Sequence, residues 1–200
     1  MKIMSQVRTN FLLVKDYTAD AQIKIDVDFV KIPVKTAIVY FKQPDKFRFK
    51  AQGFAMLPKK GANMATLNLA NGNFSAIYVN SEILNGILVD VIKVIPLDAT
   101  SDIILSTVWV DNKYRIHKME STTKNEGSYV MNFSFSNNPF NLPSQVVINF
   151  DVSKMDIPVG LTLDFDTIGK KKESKNTRGI VTVNYSNYKV NTGLSDTVFK

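Results

Sequence analysis

The chain begins with a helical period and then switches to alternation. Ile3, Val7 and Phe11 recur every fourth residue with Met4 and Leu12 beside them, which lays one apolar stripe along a helix. Ser5, Gln6, Arg8 and Lys15 fall mostly on the other side, and the spacing predicts a helix ending near Asp16 and Tyr17. The period then drops to two. Ile23, Ile25, Val27 and Phe29 alternate with Lys24, Asp26 and Asp28, as expected of an antiparallel strand with one wet face. Val34 to Phe41 reads as the next strand and Gln43-Pro44-Asp45 as a turn. Phe47 and Phe49 then alternate with Lys46, Arg48 and Lys50, in a strand that Pro58-Lys59-Lys60-Gly61 closes.

The same texture continues. Leu67 to Ala70, Phe74 to Val79 and Leu88 to Ile95 are short strands separated by Asn71-Gly72-Asn73 and Asn85-Gly86, both strong hairpin signals. Asn80 to Leu84 fits either more strand or a helical turn. Ile103 to Val110 and Tyr114 to Ser121 flank the turn Asp111-Asn112-Lys113 and hold the single Trp and the single His of the chain. Tyr129, Met131, Phe133 and Phe135 alternate with polar or smaller residues after Glu126-Gly127, and Val146 to Val152, Pro158 to Phe165 and Ile180 to Tyr188 complete the series. The sum is about ten to twelve antiparallel strands in meander order plus one N-terminal helix. Neither a linker nor a repeat divides residues 1–200, so one domain is expected. A sheet of that size must curl or split. Curling gives a mainly β barrel or half-barrel, with the helix available to cover its mouth.

Composition narrows the chemistry. No run approaches the length of a transmembrane helix. The N-terminus lacks the pattern of a secretory signal, which fits either a cytosolic protein or the mature form of an exported one. With zero Cys there are no disulfides and no thiolate chemistry. The formal charge is +7 with a pI near 9.4. The basic residues are dispersed except for Lys170, Lys171, Lys172 and Lys175, in a polar segment expected to be an exposed loop that contacts anionic headgroups or an envelope protein, or is simply solvated.

Catalytic and metal signals are weak. His117 stands alone, without a Gly-x-Ser-x-Gly elbow or further His and Cys for a zinc site, so it reads as a wall residue. Asp26 with Asp28, and Asp164 with Asp166, lie two apart, as on the wet face of a strand. Lys46-Phe47-Arg48-Phe49-Lys50 interleaves charge and aromatics as a single-strand nucleic-acid site would. A strand with rings inside and charges outside explains it equally, and no nucleic-acid partner is expected. Neither cofactor nor enzymatic activity is expected. What remains is apolar surface: 13 Phe, 7 Tyr and 7 Met can line a cavity as readily as fill a core.

The order of several short motifs carries a resemblance. The helix leads into Tyr17-Thr18-Ala19-Asp20-Ala21. Gln43-Pro44-Asp45-Lys46-Phe47-Arg48 joins a strand pair, and Asn85-Gly86 precedes Val89-Asp90-Val91-Ile92-Lys93-Val94-Ile95-Pro96. Trp109-Val110-Asp111 is followed by Tyr114-Arg115-Ile116-His117-Lys118-Met119, and the chain closes on Val183-Asn184-Tyr185-Ser186-Asn187-Tyr188-Lys189-Val190-Asn191. Over nearly its whole length the chain resembles the outer-membrane lipoprotein-sorting family, the LolA-type and LolB-type periplasmic carriers. That resemblance implies a half-open antiparallel barrel around an apolar cavity with a helical lid. It also implies acyl-chain binding in the periplasm or from an outer-membrane anchor, with transfer to the outer membrane as one use. A non-transporting interaction or sensor module with a side-chain-filled interior is the alternative. Val7 and Phe11 are the expected lid residues. Phe29, Ile38, Tyr40, Phe47, Phe49, Trp109, Phe133 and Phe135 are the expected cavity wall. One departure concerns the lid. The carriers typically place Arg just before the Pro of the second turn, where it helps to hold the lid closed, and here that residue is Gln43.

Overall fold

A computed structural model describes residues 2–27, 30–31, 33–51, 73–125, 127–151 and 178–199. Phe29, the segments 67–70 and 158–165, and the basic cluster Lys170, Lys171, Lys172 and Lys175 lie outside the described residues. Helix α1 (Lys2–Leu12) precedes the strands β1 (Asp16–Val27), β2 (Val30–Lys31), β3 (Lys35–Lys42), β4 (Lys46–Ala51), β5 (Phe74–Leu84) and β6 (Ile87–Pro96). There follow β7 (Ile103–Asp111), β8 (Ile116–Thr123), β9 (Ser128–Phe135), β10 (Pro143–Asp151) and β11 (Arg178–Val190), and a short 3-10 helix, Asp196–Phe199. The strands form one antiparallel sheet in the order β4-β3-β1-β11-β10-β9-β8-β7-β6-β5, with β2 beside β1. The sheet curves into a half-open barrel whose edges β4 and β5 are not paired with each other.

The path is a meander broken once. β11 returns to lie between β1 and β10, so both ends of the chain meet near the middle of the sheet. Two boundaries differ from the sequence expectation. The helix stops at Leu12, and β1 starts at Asp16. Tyr17, Ala19, Ala21, Ile23 and Ile25 share one face of it, and Ala19 and Ala21 are buried. Ala is a poor strand former, so local pattern understated a strand that pairing on both sides enforces. The stretch Asn80 to Leu84 resolves as strand, the second half of β5, which ends in an Asn85-Gly86 turn. Both turn residues have positive φ (48° and 79°), as a two-residue type I′ hairpin requires.

The concave face is the core. Met4 and Val7 of α1 pack on Ile92, Val94, Val108, Val110, Met119, Met131 and Val146, which belong to β6 through β10. A second cluster, Ala21, Ile23, Ala37, Val39 and Val183, continues the same face across β1, β3 and β11. Tyr185 touches both clusters. Ser106 and Ser121 are a buried cross-strand pair on this face, hydroxyl to hydroxyl at 2.7 Å.

Candidate binding basin

Helix α1 crosses one half of the basin and is held at its C-terminal end, where the last carbonyls of a helix have no partners of their own. The Gln43 side-chain amide, in the β3–β4 turn, donates to the carbonyls of Phe11 (3.1 Å) and Val14 (2.8 Å). Asn191, just past β11, donates to the Leu13 carbonyl (2.9 Å) and accepts from the Lys15 N–H (2.7 Å). Asp16 in turn accepts from the Thr192 and Gly193 backbone N–H groups. Gln43 contacts the end of the helix directly through neutral hydrogen bonds.

Beside the helix, Met4, Ser5, Arg8 and Thr9 face Phe74, Ser75 and Ala76 of β5 across a cleft of about 500 Å³. That is within the size range of small-molecule sites. On the other half of the basin the floor is formed by Phe47, Phe49, Ile25, Val181, Tyr17 and Tyr185, all packed on the second cluster yet all partly accessible. Phe47 and Phe49 meet edge to face at 4.9 Å.

The expected lid and wall residues divide cleanly. Val7 is in the core, and Phe11 meets Phe41 edge to face at 5.8 Å. Phe47, Phe49 and Phe133 lie on the concave face, and Phe135 continues the parity of Met131 and Phe133. Ile38 and Tyr40 do not: Val39 and Phe41 take the inside, and Ile38 is 41% exposed on the outer face. Trp109 is also on the outer face, packed with Val89, Val91 and Leu84. Its indole N–H donates to Glu82 at 2.7 Å, and the Lys118 ammonium sits 4.3 Å from its ring centroid. In each case a step of one residue along a strand exchanges the faces. Residues 36–41 are apolar enough on both faces to hide that step.

His117, without an evident partner in the sequence, has one in space. It bonds Asp111 Oδ2 at 2.9 Å and meets the Phe135 ring at 5.2 Å. Asp111 also accepts from the Lys113 and Arg115 backbone N–H groups and from the Arg115 guanidinium. Burial pushes the Asp111 pKa up, but the hydrogen bonds from Arg115 and His117 outweigh it and hold the carboxyl below its usual range. The donors that surround this carboxylate make it the organiser of the β7–β8 turn. Among the described residues no group of three or more His, Cys, Asp or Glu could hold a metal ion, and no helix is long and apolar enough to cross a membrane.

No protein-family model and no curated protein matches the chain. Solved structures do. A DUF1329 family protein from Desulfovibrio piger superposes with a TM-score of 0.64 at 11% identity, over 99% of this chain and 95% of that one. A domain described as outer membrane lipoprotein-sorting, from Vibrio parahaemolyticus, gives 0.63 at 12% identity, over 98% and 95%. A LolA superfamily protein from Nitrosomonas europaea gives 0.62 at 10% identity, over 99% and 96%. The fold is LolA-like. At these identities the likeness concerns the fold alone. The concave face beneath and beside α1 is lined by the two apolar clusters.

Proposed function

We propose that this protein binds the acyl chains of a lipid or lipoprotein on its concave face in the bacterial envelope, with α1 as lid, and presents them for transfer to the outer membrane. The observation that carries the reading is the partly accessible apolar floor of Phe47, Phe49, Ile25 and Val181, continuous with the buried face under the helix. Each CH₂ taken from water contributes about 0.8 kcal/mol, so a long chain gains on the order of 10 kcal/mol before the costs of association. Such binding follows shape, so selectivity among chain lengths is weak. Leu13, just past the helix, and Ile83 and Leu88 of the β5–β6 hairpin are each more than 60% exposed, apolar surface available for contact with a bilayer during transfer. The lipoprotein-sorting description of the Vibrio structure supports the same reading by analogy of fold.

A second reading also has an observation behind it. Under the helix the basin is packed with fully buried Met4, Met119 and Met131, as an interaction or sensor module with a filled interior would be. Titration with a fluorescent fatty acid, together with lipid extraction from purified protein, separates the two. Acyl binding requires saturable probe uptake that Phe47→Asp abolishes while the thermal transition is retained. A folded protein that takes up no probe and carries no lipid supports the filled module instead.

A further inference from the structure

Three tyrosines line the point where the two halves of the basin meet. Tyr17 and Tyr188 rings lie 5.4 Å apart, and Tyr185 and Tyr188 rings 6.0 Å apart. The Tyr188 hydroxyl donates to the Pro143 carbonyl at 2.8 Å. Tyr17 and Tyr185 differ: among the described residues neither hydroxyl makes a hydrogen bond. Neither is sealed off, because no side-chain oxygen or nitrogen of a described residue is both fully buried and unpaired. Both rings are half-buried on the concave face, and burial pushes both phenol pKa values far above the usual range, with the neighbouring hydroxyl adding to the rise at Tyr17. Both are neutral donors set in an apolar wall, and their oxygens keep some access to solvent.

We propose that the Tyr17 and Tyr185 hydroxyls form a donor site for the carbonyl of an ester- or amide-linked acyl chain. The inference rests on the acyl-binding reading above and adds the polar end of the ligand to it. A hydroxyl with no protein partner can exchange its water for an acceptor brought by the ligand, and the bond gains once the apolar chain excludes water around it. A neutral carbonyl fits better than a carboxylate, since moving a charge into this surrounding is costly and a neutral phenol does not compensate it. Tyr185 pairs with Ala21, partway along β1 from Tyr17 toward Ile25, so a chain with its carbonyl at the two tyrosines has roughly 13 Å of apolar floor beyond Tyr185. The two carbonyl sources, a membrane glycerolipid and an N-acylated lipoprotein, share this chemistry.

The test compares a fluorescent diacyl (ester) lipid, its dialkyl (ether) analogue and an N-palmitoyl peptide on wild type, Tyr17→Phe, Tyr185→Phe and the double variant. Each substitution removes only an unpaired hydroxyl, so the thermal transition is expected to hold or rise. Wild type is expected to prefer ester over ether, with a loss of roughly three- to tenfold in ester affinity per hydroxyl removed and none in ether affinity. Loss for the ester lipid, the palmitoyl peptide or both supports the site and identifies its carbonyl source. Unchanged affinity of the double variant for both the ester lipid and the palmitoyl peptide overturns it while leaving the apolar basin intact. Absence of binding by all three probes overturns the basin reading as well.

Discussion

Replacing Gln43 with Ala removes the donors that bond the Phe11 and Val14 carbonyls at 3.1 and 2.8 Å. A neutral hydrogen bond has a net value of about 0.5 to 1.5 kcal/mol. The Phe11 carbonyl is in the last turn of α1 and the Val14 carbonyl just past it, and both bonds are only part-buried, so water replaces some of the loss and about 1 to 2 kcal/mol of helix docking is expected to disappear. That corresponds to a roughly 5- to 30-fold rise in the fraction of molecules with the helix lifted. Amide hydrogen exchange read by mass spectrometry is the direct assay. Peptides from α1 should exchange faster by that factor in Gln43→Ala, while peptides from β8 and β9 keep their wild-type rates. Gln43→Glu offers acceptors to acceptors, so its helix should exchange fastest near neutral pH and slow again once the carboxyl is protonated. Gln43→Arg restores a donor and should exchange like wild type. Identical α1 exchange in wild type and Gln43→Ala would refute the assignment of Gln43 as the clasp on the helix.

Three further outcomes are expected. The Asp111 carboxyl is held below its usual pKa, so its stabilising effect is complete above the ordinary carboxylate range and is lost as pH falls through the lowered value; thermal melts should drop in that acid window, and Asp111→Asn should flatten the response. Ser106→Ala or Ser121→Ala alone leaves a buried hydroxyl without its 2.7 Å partner and should cost about 1 to 3 kcal/mol, while the double variant should lie closer to wild type in denaturant melts. Trp109 is on the outer face, so its emission maximum should stay fixed through a lipid titration that saturates the basin, and Trp109→Phe should leave lipid affinity unchanged.

Much of the architecture was legible because the sequence switches period where the structure switches element. Val7 of the predicted stripe is buried together with Met4, Ile3 packs half-buried beside them and Phe11 meets Phe41, and Asn85-Gly86 is a hairpin turn with the dihedrals its residues favour. Less was legible where alternation loses contrast. In β3, Ala37 and Val39 face inward while Ile38 and Tyr40 face outward, and all four are apolar. Only pairing with β1 and β4 decides between the faces. Tyr17 was hidden for another reason: it lies just after the helix, and the residues that continue its face are alanines. Trp109 looked like a wall residue by size, but its indole N–H needs an acceptor, and Glu82 on the outer face supplies one. The Asp111–His117 bond joins positions six apart across a turn, and no local pattern announces it.

The unpaired edges of the sheet have a mechanical consequence. A closed barrel has its girth set by a continuous ladder of hydrogen bonds, and widening it means breaking some of them. Among the described residues β4 and β5 end the ladder without meeting. The two flanks can therefore spread or draw together by small changes of twist distributed over ten strands, with every rung kept. Such a wall adjusts to the bulk of its contents much as a split ring adjusts to a shaft, and cargo with one, two or three chains would differ in how far the seam stands apart.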